Sequence, residues 1–521
     1  MSGEERPPRE GLRFLLRAGL SVTLIVLLTA AATATAGLLK IKDEITPAAD
    51  APPPIPNVKV DQAPPGQPQT ILILGSDRRW SDLKKNNPLL AQSNPARSDT
   101  ILLIRMDPHQ QATAVMSIPR DLKVLIPGYG INKINAAYSL GGPDLTAKTI
   151  KSLFGQSFSI NHIVNVNFGG FRQVVDSLGC IYADVDRRYY HSNLGLPVSA
   201  HYAEIDVQPG YQQLCGQRAL DYVRFRHADS DIVRAARQQD FLRAAKDQLS
   251  TSSLINDRNQ LIKIMQKSTQ TDQSLRTVKG VLKLAKLAIF SAGHPVSQIK
   301  FPAVYSGTPQ TGEYVEASAQ TLLRLRDEFF HASPQVKKAA KTSTSSPKQN
   351  QTKAASGNAR VAKARLVNAT RAGQDVIART VASHRLGFRL YYPAVLTPNG
   401  RYASTINDAS TTNPTPRVYT IRDRAGHAHK AYRLVVLENL SEGSYYGVEG
   451  TDWKTPPVLA NPTSSLMVHG RRLLLFKAGN RLRYVAWKRK DAVYWVSNSL
   501  TLGLSNAQML GIAGSLTHLG P

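Results

Sequence analysis

Short apolar runs and amphipathic stretches alternate over the first two thirds of the chain, and this pattern predicts an α/β fold. Compact apolar runs are typical of strands buried on both faces of a sheet, and three follow one another closely, at residues 70–75, 100–104 and 113–118. Residues 159–168 alternate in the manner of a further strand. Helical spacing predicts helices at 145–154, 171–178, 255–265, 274–291 and 321–330.

The stretch 221–239 concentrates hydrogen-bond donors, with four arginines and two glutamines among its residues. Residues 222–226 alternate as a strand does, which places Arg224 and Arg226 on one face. A helix is predicted from Val233, and it brings three further donors together: Arg234, Arg237 and Gln238. Planar guanidinium groups bind phosphate well, so the stretch is either an anion site or a solvated basic face, and taken alone it favours neither.

The last third of the chain has a different pattern. Residues 332–374 contain no acid and many Lys, Ser and Ala residues, which predicts a disordered basic linker, either a soluble tether or a segment that binds anionic lipid or polymer. Six strand-like runs follow, at 417–421, 431–436, 464–468, 471–476, 482–487 and 492–497, with a hairpin signal at Gly479-Asn480. A capping box at Ser505–Gln508 opens a final helix to about residue 516. These features predict a smaller α+β domain with an antiparallel sheet.

An uncharged apolar run at 18–39 is about as long as the ~20 residues that a membrane-spanning helix needs. Four arginines precede it, so the positive-inside tendency predicts a cytoplasmic N-terminus and an exported remainder: Arg6, Arg9, Arg13 and Arg17. A cleaved signal peptide is the alternative, because residues 34–36 fit a cleavage site, but the length of the run favours an uncleaved signal anchor in the cell membrane. The Pro- and Ala-rich residues 40–67 predict an extended spacer.

The charge of the chain is strongly positive, with 65 Lys and Arg residues against 37 Asp and Glu residues, a formal net charge of +28. Such a surplus attracts polyanions. Export leaves anionic lipid or wall polymer as partners and removes nucleic acid. Export also makes Cys180 and Cys215 candidates for a disulfide across the polar, loop-rich segment 181–213, with two buried free thiols as the alternative.

Charged residues stand at the ends of the three buried strands, where α/β folds often assemble sites: Asp77, Asp99, Arg120 and Asp121. Paired carboxylates suit a hard cation, and Asp77 with Asp99 predicts a site for Mg²⁺, with Mn²⁺ as the substitute. Six arginines would surround the phosphates of a ligand: Arg97, Arg120, Arg224, Arg226, Arg234 and Arg237. Phosphoryl transfer depends mainly on positioning and charge neutralisation, so this set is a sufficient inventory. The sequence has no Walker A loop, no Gly-x-Ser-x-Gly elbow and no zinc-type spacing, and His162 and His227 are interpreted as structural.

Six ordered motifs over about residues 68–331 resemble the LytR-CpsA-Psr (LCP) family. They are LGSD at 74–77, RSDT at 97–100, SIPRD at 117–121, NAAY with two glycines at 135–142, VDSLGC at 175–180 and the donor-rich stretch 222–239. The resemblance implies an α/β fold, an LCP-type α/β/α sandwich around a mixed central sheet. The transmembrane helix predicted above precedes this sandwich, and the smaller α+β domain, which lies outside the resemblance, follows it. The implied organisation is a cytoplasmic N-terminus at 1–17, an anchor at 18–39, a spacer at 40–67, a catalytic domain at 68–331, a linker at 332–377 and an accessory domain at 378–521.

The resemblance also implies a function, namely a membrane-anchored extracytoplasmic phosphotransferase that moves a glycopolymer from a polyprenyl pyrophosphate carrier onto peptidoglycan or a related wall acceptor. Asp77 and Asp99 would hold Mg²⁺. The pyrophosphate would be bound by Arg97, Arg120, Arg224, Arg226, Arg234 and Gln238, with Arg237 beside them. The catalytic set would be Arg97, Asp99, Arg120 and Asp121.

The main hypothesis is that an acceptor sugar hydroxyl attacks the phosphorus next to the glycan and polyprenyl phosphate leaves, with Asp99 or Asp121 as the base. A regulatory protein that binds polyprenyl-linked glycans without turnover is the first alternative. A polyprenyl pyrophosphate hydrolase, with water as the acceptor, is the second.

Overall fold

The computed structural model describes residues 54–56, 58–64, 66–76, 98–197, 201, 203–225, 231–248, 269–277, 280, 296–302, 304–306, 314–332, 364–383, 386–403, 416–439 and 443–519. Several predictions lie outside these residues: the anchor at 18–39, the helix at 255–265, most of the helix at 274–291, most of the linker, and the site residues Asp77, Arg97, Arg226 and His227. The side chain of Asp99 also lies outside them, although its backbone is described. Within the described part of the chain, no helix combines the length and hydropathy needed to cross a membrane.

The first part of the chain contains fourteen described strands: β1 Gln69–Ser76, β2 Ser98–Asp107, β3 Ala112–Ile118, β4 Lys123–Ile126, β5 Gly130–Lys133, β6 His162–Asn167, β7 Ile181–Val185, β8 Tyr189–His191, β9 Ile205–Val207, β10 Gly210–Leu214, β11 Thr269–Thr271, β12 Val296–Ile299, β13 Val304–Ser306 and β14 Tyr314–Glu316. Six of them form the central sheet in the order β11-β6-β1-β2-β3-β12. The pairs β1–β6 and β3–β12 are parallel and the other three pairs are antiparallel. The predicted mixed central sheet of an α/β fold is thus confirmed.

Helices cover both faces of this sheet, and the described helices of this part are α1 Ile134–Phe154, α2 Phe168–Ser177, α3 Gly216–Arg224, α4 Asp231–Gln248 and α5 Ala319–Phe330. On one face, Leu72 and Met116 of the sheet share a core with Ile150 of α1 and Phe329 of α5. On the other face lies α4, where the Arg243 guanidinium donates to the Gln298 side chain of β12 at 3.0 Å. Helix α1 begins at Ile134, earlier than the predicted start at residue 145. It bends at Gly141 and Gly142, whose backbone angles are not helical, and the φ of 65° at Gly142 is one that glycine adopts readily.

The strand predicted at 222–226 is wrong, because this segment is the end of helix α3. Val223 and Phe225 alternate with arginines as in a strand, but Tyr222 and Phe225 are the buried residues, and their spacing of three positions suits one face of a helix. The Asp221 carboxylate accepts from Gln217 at 2.7 Å and from Arg224 at 2.7 Å, and these neighbours one turn away support the helix. Arg224 therefore stands at a helix end rather than on a strand.

The loop predicted at 181–213 is also wrong, because β7 pairs with β10 and β8 pairs with β9 in this segment. Alternate residues of β7 enter two different cores. Ile181, Ala183 and Val185 pack beneath α3 and α4, whereas Tyr182 packs on the opposite side. We call the strands β7 to β10 the ribbon β7–β10. Cys180 precedes β7, Cys215 follows β10, and the two form a disulfide with their Cα atoms 4.6 Å apart.

The predicted spacer at 40–67 is docked on the sheet where it is described. The Ile55 N–H donates to the Thr271 carbonyl at 3.0 Å, and the Asp61 N–H donates to the Ile160 carbonyl at 2.8 Å. The Asp61 carboxylate also pairs with Lys151 of α1 at 2.8 Å. Ile55 is buried in the core of the first part of the chain. This apolar residue within a proline-rich stretch is the sequence feature that could have predicted contact between the spacer and the sheet.

The last part of the chain adds twelve described strands: β15 Val367–Asn368, β16 Tyr391–Pro393, β17 Val395–Leu396, β18 Arg401–Tyr402, β19 Arg417–Arg422, β20 Ala428–Asn439, β21 Ser444–Thr451, β22 Ser464–Val468, β23 Arg471–Ala478, β24 Arg481–Lys488, β25 Val493–Ser497 and β26 Leu516–His518. Eight of them form an antiparallel sheet, in the order β18-β20-β21-β25-β24-β23-β22 with β19 paired to β20, which we call the C-terminal sheet. Two helices pack in this part: α6 Thr370–Ser383 and α7 Asn506–Gly514.

The six strands predicted here are all present, and the capping box of Ser505 and Gln508 opens α7. The sequence pattern missed β21, whose residues are all buried, because its glycines interrupt the apolar run. Helix α6 and strand β15 occupy the end of the segment predicted as a linker at 332–377.

Asp272 fastens the edge strand β11 to β6. Its backbone N–H donates to the Ile163 carbonyl at 3.1 Å, and the Ile163 N–H donates back to the Asp272 carboxylate at 2.9 Å. Burial raises the pKa of this carboxyl, but hydrogen bonds from His162, Ser274 and the Ile163 N–H more than offset it, so the pKa lies below its usual value. The ionised carboxylate is therefore a stabilising group.

We expect Asp272→Asn to lower the free energy of unfolding at neutral pH by about 1–3 kcal/mol, because it weakens the bonds to a fully buried acceptor. Since the folded-state pKa is depressed, this stabilisation is complete above the unfolded pKa of about 3.9 and is lost as the pH falls through the folded value. Urea denaturation of both proteins at several pH values measures the difference. The control Asp144→Asn removes an ion pair with exposed Lys148 and should cost less than ~0.5 kcal/mol; equal losses in the two variants would contradict the prediction.

Candidate functional site

The strand register gathers the sequence motifs at one edge of the central sheet. Ser76, the last residue of β1, pairs with Ser98 of β2 and with Asn167 of β6. Ile101 of β2 faces Ile118, the last residue of β3. Four strand termini therefore lie side by side here: the end of β1, the start of β2, the end of β3 and the end of β6. We call this end of the sheet the catalytic edge, after the catalytic set that the sequence predicts there. Asp77 and Arg97 adjoin these strands in sequence but lie outside the described residues.

Helix α4 is fixed above the catalytic edge by Gln238. Its side-chain amide donates to the Thr100 hydroxyl at 3.0 Å and to the Val223 carbonyl of α3 at 3.2 Å. Thr100 has room for this bond because it faces Gly75, where an added Cβ would lie 2.9 Å from the Thr100 Cβ. The predicted helix from Val233 is confirmed by α4. Gln238, which the sequence assigned to phosphate binding, connects α3, α4 and the central sheet.

Arg224 reaches the same edge from the last turn of α3. Its Nε and Nη2 donate to one oxygen of Asp221 at 3.2 and 2.7 Å. The guanidinium carbon lies 5.4 Å from the ring centre of Phe168, the first residue of α2 immediately after β6. Asp221 therefore orients Arg224 so that its planar fork stands beside the end of β6.

Arg120 and Asp121 follow β3 at the catalytic edge. The Arg120 Nε lies 3.3 Å from one oxygen of Asp121, and the Lys133 Nζ lies 3.0 Å from the other. The Asp121 carbonyl also accepts from the Val315 N–H at 2.9 Å. Asp121 is therefore a counter-ion that stands beside both Arg120 and Lys133.

Arg234 and Arg237 are both buried on α4, three positions apart. Arg234 is buried one turn before Gln238. Arg237 is fully buried in an aromatic cluster, with its guanidinium carbon 4.5 Å from the ring centre of Tyr189 and its Nη2 donating to the Phe225 carbonyl at 2.6 Å. The sequence placed Arg237 with the pyrophosphate ligands; the structure instead gives it a packing role, because one helical position turns it about 100° away from Gln238.

The residues that could hold a metal ion are only partly described. Asp99 lies in β2 at the catalytic edge, and Asp77 adjoins Ser76, whose buried hydroxyl has no hydrogen-bond partner among the described residues. Hydroxyl and carboxylate oxygens are the ligands that Mg²⁺ prefers, so the donor set fits this cation. In the described part of the chain, another group at metal-ligand spacing is Asp176 with Cys180 and Cys215, but both sulfur atoms are committed to the disulfide.

The sequence pattern missed an ion pair that attaches α4 to the C-terminal sheet. The Arg483 Nη2 of β24 lies 2.7 Å from the Asp240 carboxylate, two positions after Gln238. Both side chains are almost completely buried, at 11% and 12% exposure. Burial would lower the pKa of Arg483, but Asp240 more than offsets it and raises the pKa above its usual value. No local pattern marks partners so distant in sequence.

A second buried network joins the C-terminal sheet to the ribbon β7–β10. The Asp184 carboxylate of β7 accepts from Arg433 at 2.9 Å and from the Trp495 indole at 3.1 Å. Arg433 also lies 3.3 Å from Glu449, whose carboxylate accepts from the Tyr211 N–H of β10 at 2.9 Å. Because the ribbon also packs against α3 and α4, the C-terminal sheet supports the helices that carry Arg224 and Gln238.

Comparison with known proteins gives a consistent family assignment. The profile of the LytR_cpsA_psr family matches residues 33–329, which is more than half of the chain and ends before α6. The polyisoprenyl-teichoic acid–peptidoglycan teichoic acid transferase TagU of Oceanobacillus iheyensis is 32% identical over 220 residues, covering 41% of this chain and 61% of that protein. The transferase of the same description named TagT from Bacillus subtilis is 30% identical over 224 residues, covering 43% of this chain and 66% of that protein.

This chain therefore spans less than two thirds of the length of these two relatives. A solved structure described as TagT bound to LIIa-WTA is 26% identical, covers 52% of this chain and 93% of that chain, and has a TM-score of 0.40.

The Asp240–Arg483 pair yields a stability prediction. We expect Arg483→Ala to lower the free energy of unfolding by about 3–5 kcal/mol, because it leaves the buried Asp240 carboxylate without its cation. The double variant Asp240→Asn with Arg483→Gln should recover most of this loss, since it leaves no uncompensated charge. Urea denaturation of the full chain measures both effects. The control Arg324→Ala breaks an exposed pair on α5 and should change stability by less than ~0.5 kcal/mol, and strictly additive effects in the double variant would contradict the prediction.

Proposed function

This chain belongs to the LytR-CpsA-Psr family, and we propose that it is an extracytoplasmic phosphotransferase that moves a glycopolymer from a polyprenyl pyrophosphate carrier onto peptidoglycan or a related wall acceptor. The printed names of TagU and TagT describe this kind of transfer for those relatives. The observation that carries the proposal is that Arg120, Arg224 and Gln238, from three separate elements, all lie along the catalytic edge.

The pyrophosphate would lie at the catalytic edge between the guanidinium groups. Asp221 orients the planar fork of Arg224 by two hydrogen bonds, and Arg120 stands beside Asp121; bidentate recognition of phosphate depends on such orientation. Arg97, Arg226 and Arg234 complete the proposed set, with Gln238 fixing α4 above it. Fixed cations of this kind stabilise the charge that develops on the phosphoryl group during transfer.

The reaction would be a single displacement at phosphorus. The oxygen of an acceptor hydroxyl forms a bond to the phosphorus next to the glycan, and the bond from that phosphorus to the bridging oxygen breaks. Polyprenyl phosphate leaves with the electron pair of the broken bond. The hydroxyl proton would pass to Asp99 or Asp121, the two carboxylates that the sequence places beside the ends of β2 and β3. The arginines neutralise charge on the leaving phosphate.

Asp77 and Asp99 would hold Mg²⁺, with Mn²⁺ as the substitute, and the ion would supply further charge neutralisation on the pyrophosphate. The buried Ser76 hydroxyl beside Asp77 supports an oxygen-rich site at this point. The residues of the chain themselves orient the donor, place the acceptor and accept its proton.

The sheet face that carries Thr100 also offers a surface for the polyprenyl chain. Ile71 and Met106 form a small apolar cluster there, with Ile73, Ile104 and Val164 partly buried against it. This cluster lies on the face covered by α4 and leads toward the catalytic edge, because Ile71 and Ile73 belong to β1. An apolar face next to a cationic edge suits a lipid with a pyrophosphate head. The segment 18–39 would anchor the chain in the membrane with this face outside the cytoplasm.

We expect Arg224→Ala to lower the rate of polymer transfer by about 10²–10³-fold, because it removes a fixed donor to the developing charge. The assay combines the purified full chain in detergent, a lipid-pyrophosphate glycan donor, a peptidoglycan acceptor and Mg²⁺. Arg324→Ala removes an exposed arginine of α5 and should leave the rate unchanged.

Each other outcome of this assay identifies an alternative. Transfer by Arg224→Ala at the wild-type rate would contradict the proposed site. Donor binding without any turnover would identify a regulatory glycan-binding protein, and release of glycan phosphate to water would identify a hydrolase.

Metal removal gives an independent prediction. Treatment with a chelator should abolish transfer, and added Mg²⁺ or Mn²⁺ should restore it, because the cation neutralises the pyrophosphate. Asp77→Asn should raise the Mg²⁺ concentration needed for half-maximal rate at least ~10-fold, whereas Asp144→Asn, which changes a carboxylate of α1, should not. Full activity in the presence of chelator would exclude the metal role.

A further inference from the structure

A cleft of about 560 Å³ lies between the C-terminal half of α4, strand β12, the end of α5 and the C-terminal sheet. Ligand sites commonly have volumes of about 300–1,000 Å³ and often lie at the junction of two domains. The lining residues include neither Arg120 nor Arg224, so the cleft is separate from the catalytic edge. We call it the junction cleft.

The lining of the junction cleft carries donors and acceptors of both charges. Its cationic side chains include Arg243 and Lys477, its carboxylates include Asp247 and Glu328, and its amides include Asn461 and Asn480. The amides of Asn461 and Asn480 are exposed and have no hydrogen-bond partner among the described residues. A cleft for a polyanion would carry one sign of charge, whereas mixed donors and acceptors suit a neutral ligand rich in hydroxyl groups.

Arg243 is a buried donor built into the wall of the junction cleft. Its side chain is 6% exposed, and its Nη2 donates to Gln298 at 3.0 Å. Its Nε has no hydrogen-bond partner within the described part of the chain. Burial, and then the neighbouring Arg483, lower the pKa of Arg243 to about 10, so it remains a cation at neutral pH. The Arg243 guanidinium is therefore a fixed cation in the wall of the junction cleft.

Aromatic side chains form the apolar part of the lining. Tyr182, Tyr211, Phe476 and Tyr484 all contribute to it. Tyr182 and Tyr211 are stacked at 5.7 Å, which keeps their rings fixed. These rings are almost completely buried, so they give the junction cleft a rigid apolar wall. The exposed side chains of Asn461, Lys477 and Asn480 supply the hydrogen-bonding groups that a hydroxyl-rich ligand needs.

We propose that the junction cleft binds a hydroxyl-rich glycan segment, either of the lipid-linked donor or of the wall acceptor. This inference rests on the proposed function. Helix α4 connects the two places, because it carries Gln238 at the catalytic edge and Arg243 and Gln248 in the cleft. Ten residues of helix extend about 15 Å, so a glycan of a few sugars held at the catalytic edge reaches the cleft.

The test uses the purified full chain and two neutral probes, chitotetraose for an amino-sugar acceptor strand and maltotetraose for a hexose chain. Asn461→Trp places a bulky ring in the cleft, and Asn480→Ala removes an amide without adding volume. The matched control is Asn399→Trp in an exposed turn outside the cleft lining. Calorimetric titration should show probe binding that Asn461→Trp weakens at least ~10-fold and Asn480→Ala about threefold, with Asn399→Trp unchanged. Equal thermal midpoints of the three variants show that folding is retained.

The transfer assay then distinguishes the two sources of the glycan. A raised KM for the donor in Asn461→Trp and Asn480→Ala, with kcat unchanged, assigns the cleft to the donor, and a raised KM for the acceptor assigns it to the acceptor. Cleft variants that keep the probe affinities and both KM values of the control overturn the inference. Probe binding does not require turnover, so cleft binding in a chain without transfer activity would overturn only the proposed function.

Discussion

Helix α4 is held from two sides, and the rest of the structure depends on this restraint. Gln238 binds Thr100 of the central sheet, and Asp240 binds Arg483 of the C-terminal sheet. Positions two apart on a helix point to nearly opposite sides, so the two contacts hold α4 between the two sheets. Movement toward one sheet would break the contact with the other. The position of the donors above the catalytic edge is therefore set by both parts of the chain, including the part outside the family match.

The ribbon β7–β10 explains how the C-terminal sheet is joined to the helices α3 and α4 of the first part of the chain. A strand presents alternate residues to opposite sides, and here one set of β7 residues enters the core below α3 and α4 while the other set meets the C-terminal sheet. Asp184 is buried against Arg433 and Trp495. A buried ion pair adds little net stability, but leaving either member without its partner is costly. The charges therefore penalise any alternative docking of the two parts more than they stabilise the native one.

The sequence predicted the elements whose pattern is local. The buried strands that contain Leu72 and Met116 were found because compact apolar runs are a local signal. The helix from Val233 was found because its Ala, Arg and Gln residues favour a helix. The segment ending in Arg224 was assigned wrongly, since Val223 and Phe225 alternate with arginines as in a strand. The contact of both Tyr222 and Phe225 with the distant Arg237 decides for the helix. The ribbon strands and the Asp240–Arg483 pair were missed because their partners lie in distant parts of the sequence. The catalytic edge was predicted from the residues at strand ends, whereas the register that brings those ends together comes from the structure.

The Cys180–Cys215 disulfide restrains two separate elements of the structure at once. Cys180 immediately precedes β7 and Cys215 immediately precedes α3, so one covalent bond restrains both the strand that carries Asp184 and the helix that ends in Arg224. Thiols stay reduced in the cytosol and are joined in oxidising compartments. A chain retained among reductants would lack this restraint at both places together. The bond thereby links the position of the arginine-bearing helix to the redox state of its surroundings.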